Sequence, residues 1–168
     1  LIRIVESVKI PVGVSFAAGS EVSESQVNGL ARLGFDFIDF PLANMPKWMA
    51  EMEGIGRVAS LDPEYSAYDL TKLSEKTIEA LDAAIIPAEL IGKDLTVGDL
   101  QQYITICLST GLPVIVPTQK MVRVSEVPII WDTGAKGIML NELLTGSAAK
   151  TVKAVTKEFR EAIEALNE

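Results

Sequence analysis

The residues of this sequence that could do chemistry stand where its apolar runs break off. Ser15 lies near the end of the run 12–16, Asp39 near the end of 35–40, Asp62 just after 55–61, and Glu89 in the polar loop after 78–86. Thr118, Gln119 and Lys120 leave the run 112–116, and Asn141 with Glu142 leaves 137–140. Four carboxylates thus come from four different runs. A hard divalent cation such as Mg2+ is held by one or two carboxylates and keeps its waters, so Asp39, Asp62, Glu89 and Glu142 are the candidate metal ligands. No other cofactor is expected. Each candidate also has a structural explanation: Asp62 caps its turn, Glu89 is solvated in its loop, and a slip of one residue in the strand would turn Asp39 outward.

Lys120 is a candidate Schiff-base nucleophile, because a lysine near a strand end activates carbonyls when desolvation removes its proton. Against this, it lies three or four residues beyond the strand, where a lysine is expected to be exposed. Lys120, Asp39 and Glu89 are the catalytic candidates; Ser15, Thr118, Gln119, Asn141, Gly146 and Ser147 are the ligand-binding ones. The sequence has no histidine. That removes Ser-His-Asp and Cys-His catalysis, the usual zinc sites and any imidazole acid or base. Cys107, the one cysteine, falls on the apolar stripe of an expected helix, where a thiol is an inert small hydrophobe.

Positioning these residues requires strands that all end on one side. The stretch 111–146 shows how: Gly111 closes a helix, 112–116 is a buried strand, a helix spans 125–133, Gly134 stops it, and 137–140 is the next strand. Two buried strands joined by a helix lie parallel. The same device recurs along the chain. Ser23 with Gln26, Ser66 with Asp69, and Thr96 with Asp99 have the spacing of capping boxes that open helices. Gly34 stops the first of these helices before the strand 35–40. A short helix over 46–52 carries Trp48, Met49 and Met52 to the outside of the sheet. Ala67, Leu70 and Leu73 form the inward stripe of the helix opened by Ser66. Val97, Leu100, Ile104 and Cys107 do so for the next, and Val152, Val155, Phe159, Ile163 and Leu166 for the last, which spans 148–166.

Six strands alternate with helices, beginning near positions 11, 35, 55, 78, 112 and 136. A closed eight-stranded barrel takes about 250 residues, roughly 31 per unit, so 168 residues hold six short units. The fold expected is α/β, a parallel-strand partial (β/α) barrel in a single domain. An open doubly wound sheet is the alternative, disfavoured because no strand runs into a dinucleotide fingerprint. Leu1, Ile4, Val5 and Val8 read as one helix face with no strand before it, so the fold is expected to begin upstream with one or more further βα units.

The chain resembles the later two-thirds of a (β/α)8 barrel, and its last two units are similar to those of the phosphate-binding barrels. It also resembles uncharacterised archaeal and bacterial barrel proteins in which a strand end of the type Pro-Val-Ile-Val-Pro-Thr-Gln-Lys, here 113–120, precedes a final strand of the type Gly-Ile-Met, here 137–139. The resemblance implies backbone amides cradling a phosphate after the last two strands. Here the loop 117–120 has no glycine and the last strand exits into a carboxylate, leaving Gly146 and Ser147, with Lys120 as counter-charge, to serve.

The net charge of −8 argues against nucleic-acid and anionic-membrane partners, and no apolar run reaches the length that spans a bilayer. A single cysteine points to a reducing compartment, the cytoplasm. Two open edges of an incomplete barrel invite self-association, most simply as a C2 homodimer, to which Trp48, Met49 and Trp131 could add contact area. The functional expectation is a small anionic or carbonyl metabolite bound at the strand ends; a non-catalytic oligomerising scaffold or binding module is the alternative.

Overall fold

The computed structural model describes residues 2–73 and 77–167. Its six strands are β1 (Gly13–Ser15), β2 (Phe37–Pro41), β3 (Gly56–Ser60), β4 (Ala80–Asp82), β5 (Val114–Pro117) and β6 (Gly137–Met139). They lie side by side in sequence order, and every neighbouring pair is parallel. Repeated crossovers of one hand produce this order in a barrel, whereas a doubly wound sheet reverses its order partway. The sheet curls into a half-barrel, so the open-sheet alternative is set aside.

Helices fill the connections: α1 (Ile2–Ser7), α2 (Glu24–Arg32), α3 (Lys47–Ala50), α4 (Ala67–Leu70), α5 (Val97–Ser109), α6 (Val127–Trp131), α7 (Glu142–Thr145) and α8 (Ala149–Glu164). Leu1, which opens the expected stripe of α1, lies outside the described residues, and Ile4 and Val8 of that stripe are exposed. Two of the three expected capping boxes close fully. Ser23 N–H donates to Gln26 Oε1 at 2.8 Å while Gln26 N–H donates to Ser23 Oγ at 3.3 Å. Thr96 and Asp99 exchange the same bonds at 2.8 and 3.2 Å. The Ser66 box is half formed, because Asp69 turns its carboxylate to Lys72 at 3.0 Å. Gly34 and Gly134 adopt φ of +87° and +97°, the left-handed stops that return each chain segment to the sheet.

Register sorts the strand residues into two faces. Val14, Ile38, Phe40, Ala59, Leu81, Val114 and Val116 share the outer face. Val27, Met49 and Met52 cover its first part, as expected for the short third helix; Leu70, Tyr103, Ile106, Ile130 and Phe159 cover the rest. Phe37, Asp39, Val58, Ser60, Ala80, Asp82, Ile115 and Met139 share the inner, concave face. There Asp39, Asp82 and Pro117 are buried, and the other apolar side chains are half-buried. On the outer face, at the N-terminal ends of the strands, the Arg57 guanidinium donates to the carbonyls of Ala50 (2.6 Å) and Met52 (3.2 Å) and, bidentately, to Glu79 (2.6 and 3.2 Å).

Several expected elements differ from those observed. Residues 78–86 form no single long strand: pairing in β4 is confined to Ala80–Asp82, although Ile85 and Ile86 stay buried. The helix expected over 125–133 splits into a 3-10 turn, Val124–Glu126, and α6. The last helix keeps its stripe from Val155 onward, with Phe159 buried, while Val152 is exposed, and it ends in a 3-10 turn over Ala165–Asn167. The largest correction concerns α5. Val97 is 72% exposed and Ile104 is exposed as well, while Asp99, Tyr103 and Ile106 point inward. The helix is rotated because Asp99 is drawn inside by a buried cation and Tyr103 follows it four residues later on the same face. Among the described residues no helix is long and apolar enough to cross a membrane.

This rotation sets a stability contrast. Ile106→Ala should cost about 3 kcal/mol, as buried isoleucine truncations do, and Val97→Ala less than about 0.5 kcal/mol, as at other exposed sites. Urea unfolding of both variants checks this, and equal costs would contradict the packing of α5.

Candidate functional site

All six strands end on the same side, and their ends make a rim. On it, inward-facing and in register, stand Ser15 and Asp39 from β1 and β2, and Ser60 and Asp82 from β3 and β4. Ser15 Oγ donates to Asp39 Oδ2 at 3.0 Å, and the Ser60 hydroxyl also favours the ionised form of this carboxyl. Asp39 is 7% and Asp82 5% exposed, and one oxygen of each, Oδ1, has no hydrogen-bond partner. The third such atom among the described residues is Oδ1 of Asn141, in the segment leaving β6. Buried acceptors left open cost free energy, and at the strand ends that cost falls on these three atoms.

The two carboxyls titrate as neighbours. Burial pushes the Asp39 pKa up, and the hydroxyls of Ser15 and Ser60 pull it partly back. Asp82 has no such compensation: burial, then the charge of Asp39, raises it to about 7. Two interacting carboxyls in different surroundings are how one site keeps a proton donor beside a base at neutral pH.

The other sequence candidates fall into place around this pair. Lys120 is not exposed. It is 3% exposed, and its Nζ meets Asp99 Oδ2 at 3.3 Å, which also accepts from Thr96. The loop after β5 folds back over the opening turn of α5, so the ammonium ends in an ion pair. Thr118 is fully buried, and its Oγ1 accepts from Asn141 N–H at 3.0 Å. Gln119 Oε1 accepts from Ile86 N–H at 3.2 Å, while its carbonyl accepts from Gly92 N–H at 2.8 Å, tying the loops after β4 and β5 together. Asp62 caps its turn by accepting from Glu64 N–H at 2.8 Å. Glu89 and Glu142 are exposed in the first turns of short helices. Gly146 and Ser147 lie exposed ahead of α8, whose N-cap Ala148 offers no side chain, and Lys120 is engaged elsewhere. Among the described residues no three His, Cys, Asp or Glu side chains gather closely enough to hold a metal ion. Cys107 is half-buried, its thiol pKa raised by burial.

Sequence reasoning missed Asp82 and Ser60. The signal for Asp82 was a carboxylate in the middle of the run 78–86, three residues after Glu79, passed over because the strand exit was placed at Pro87.

The fold and rim together define a parallel (β/α) half-barrel, and its structural neighbours are TIM-barrel proteins. No protein-family model matches the chain, and no curated protein sequence does. Among solved structures, a variant of the tryptophan synthase alpha-subunit from Pyrococcus furiosus superposes with a TM-score of 0.66 at 16% identity, over 97% of this chain and 72% of that one. A variant of FabK from Thermotoga maritima superposes with a TM-score of 0.65 at 15% identity, over 87% of this chain. The chain spans 48% of the FabK chain, and 53% of a Mycobacterium tuberculosis tryptophan synthase chain that it matches at 18% identity and a TM-score of 0.60. At these identities the likeness is one of fold.

The raised pKa of Asp82 carries a sign. Its folded value lies above the usual carboxylate value, so the folded state holds the extra proton between about pH 4 and 7 and loses that advantage as pH rises through 7. Asp82→Asn should therefore gain melting temperature relative to the parent chain as pH goes from 5 to 8. A difference between the two that stays flat with pH would show that Asp82 is not titrating in this range.

Proposed function

We propose that the rim binds a small hydroxy-carbonyl metabolite and moves a proton next to its carbonyl group. The observation that carries this is the presence of two buried carboxyls on one rim, Asp39 on β2 and Asp82 on β4, near enough for the charge of Asp39 to raise the pKa of Asp82. Ionised Asp39, oriented by Ser15 and Ser60, takes a proton from the carbon beside the carbonyl. Protonated Asp82 gives its own proton to the carbonyl oxygen, leaving an enediol; reversal returns each proton. Of the two ligand classes expected from sequence, the carbonyl compound fits better than the anion. Ionised Asp39 would repel an anion, and the cation Lys120 is held by Asp99. Lys120 and Glu89 thereby leave the catalytic set, and Asp82 enters it.

In D2O, hydroxyacetone incubated with the protein should exchange its carbon-bound hydrogens adjacent to the carbonyl, as followed by proton NMR. Asp39→Asn and Asp82→Asn should each slow this by about 100-fold or more, the usual worth of a positioned acid or base. Exchange no faster than in buffer would refute the proton-transfer reading.

A second reading has its own support. β1 and β6 each pair on one side only, and bare parallel edges favour association. A homodimer joined at these edges, serving as a scaffold, should show twice the chain mass of 18.1 kDa by light scattering at micromolar concentration. A monomer at that concentration would remove it.

A further inference from the structure

The outer face of α5 carries apolar side chains that the packing of the chain does not use. With Asp99, Tyr103 and Ile106 turned to the core, Val97, Gln101, Ile104 and Leu108 stand on the opposite side of the helix, all exposed. At 3.6 residues per turn these four fall within about 60° of one another, a single stripe pointing outward. Leu108, 83% exposed, and Val97 are the two most exposed large apolar side chains among the described residues. Asp99 is the only charged residue of α5, and it is buried, so the whole outer face of the helix is uncharged. Single exposed apolar residues are ordinary, whereas a row of them at the spacing of a helix seam is not. Any unit added to the sheet would extend it from β1 or β6. The helix α5 connects β4 to β5, in the middle of the series, and keeps this face outward.

We infer that this stripe is where a second copy of the chain docks, α5 against α5 in antiparallel orientation. The spacing selects this partner. From Val97 to Leu108 the steps are four, three and four, the alternation of a two-helix seam, and they read the same in either direction. Reversed about its middle, the stripe sets Val97 opposite Leu108 of the second copy, and Gln101 opposite Ile104 of the second copy. Apolar ends therefore meet apolar ends, and the contact is the same patch used twice, as a twofold axis requires. Charge favours the same occupant. Each chain has a net charge of −8, so two copies repel where their acidic faces meet, and the outer face of α5 brings no charge to the contact. Having no lysine or arginine, that face also offers nothing to a lipid headgroup or a nucleic-acid phosphate. The contact uses neither the strand-end carboxyls nor the sheet edges. A helix of 13 residues is about 20 Å long, so the seam is smaller than a standard interface and the dimer should be weak, with a dissociation constant on the order of tens of micromolar.

The test is sedimentation equilibrium of the full chain from about 1 µM to about 1 mM, a range that brackets weak association. The average mass should climb from 18.1 kDa toward twice that value. Val97→Glu and Leu108→Lys, made separately, each put an unpaired charge into the seam and should weaken association about ten-fold or more. Each charge suits its end of the helix dipole, so the melting temperature of the dilute chain should hold. The double variant is the decisive one. Its two opposite charges lie about 16 Å apart within one chain, too far to pair, but face each other across the antiparallel seam. Association should return to within about three-fold of the parent, the scale of an exposed ion pair. A parent chain still monomeric at about 1 mM would overturn the inference. So would association that neither single substitution weakens, which belongs to another surface such as the sheet edges, or a double variant as weak as the singles.

Discussion

Strand direction is the constraint on which the rest depends. Each strand of this chain is followed by a crossover that returns it to the same starting side, so all six run parallel and all six carboxyl ends gather on one rim. Side chains far apart in sequence, Ser15, Asp39, Ser60 and Asp82, become neighbours only for that reason. Had any adjacent pair run antiparallel, its rim residue would have been carried to the opposite end of the sheet. The short strands serve the same purpose: with three to five residues each, every strand ends close to the rim and little chain separates the hydroxyls from the carboxyls.

The second determinant is where the cations go. Arg57 lies at the N-terminal ends of the strands, bound to Glu79 and two backbone carbonyls, and Lys120 is turned away to Asp99 beneath the loop after β5. A buried charge without its partner is strongly destabilising, so each of these cations is committed to its position. Asp39 has serine hydroxyls and Asp82 has the charge of Asp39, and neither has an opposite charge. That deficit, set in a poorly solvated place, is what separates the two carboxyls in proton affinity. The same burial that makes the pair chemically useful makes it a cost to the fold.

Much of the fold was legible from punctuation. Gly34 and Gly134 marked the two left-handed helix stops, Ser23 and Thr96 opened their helices as spaced, and the six apolar runs became the six strands. Where the reading failed, polar residues had been assigned by type. Val97 and Ile104 looked inward because they are apolar, yet the ion pair of Asp99 with Lys120 turned the other face of α5 to the core. That pair joins residues 21 positions apart, across a loop whose path no periodicity encodes. Lys120 was expected in water for the same reason. Asp82 was hidden by an opposite effect: the apolar residues after it, through Ile86, stay buried but leave the ladder, so the run outlasts the strand. Asp39 was found because it stands near the exit of its run, although the run did not say which face it took.

The concave face ties these threads together. A closed barrel buries its inward residues against one another, and across these six strands they do not meet. Phe37, Val58, Ile115 and Met139 therefore stay half in contact with water, at a free-energy cost set by their apolar area. Glycine and alanine between them make the cost larger, since bulkier residues would have filled the space and covered their neighbours. Of the small residues on this face, Gly56 borders a hollow beside Phe37, and Gly13 leaves room for the Phe37 ring. Asp39 stands at the lip of that hollow, dry enough to stand apart from Asp82 in proton affinity. The hollow and the carboxyl pair thus have one physical origin: an inner face left unfilled directly beneath the rim where the strands end.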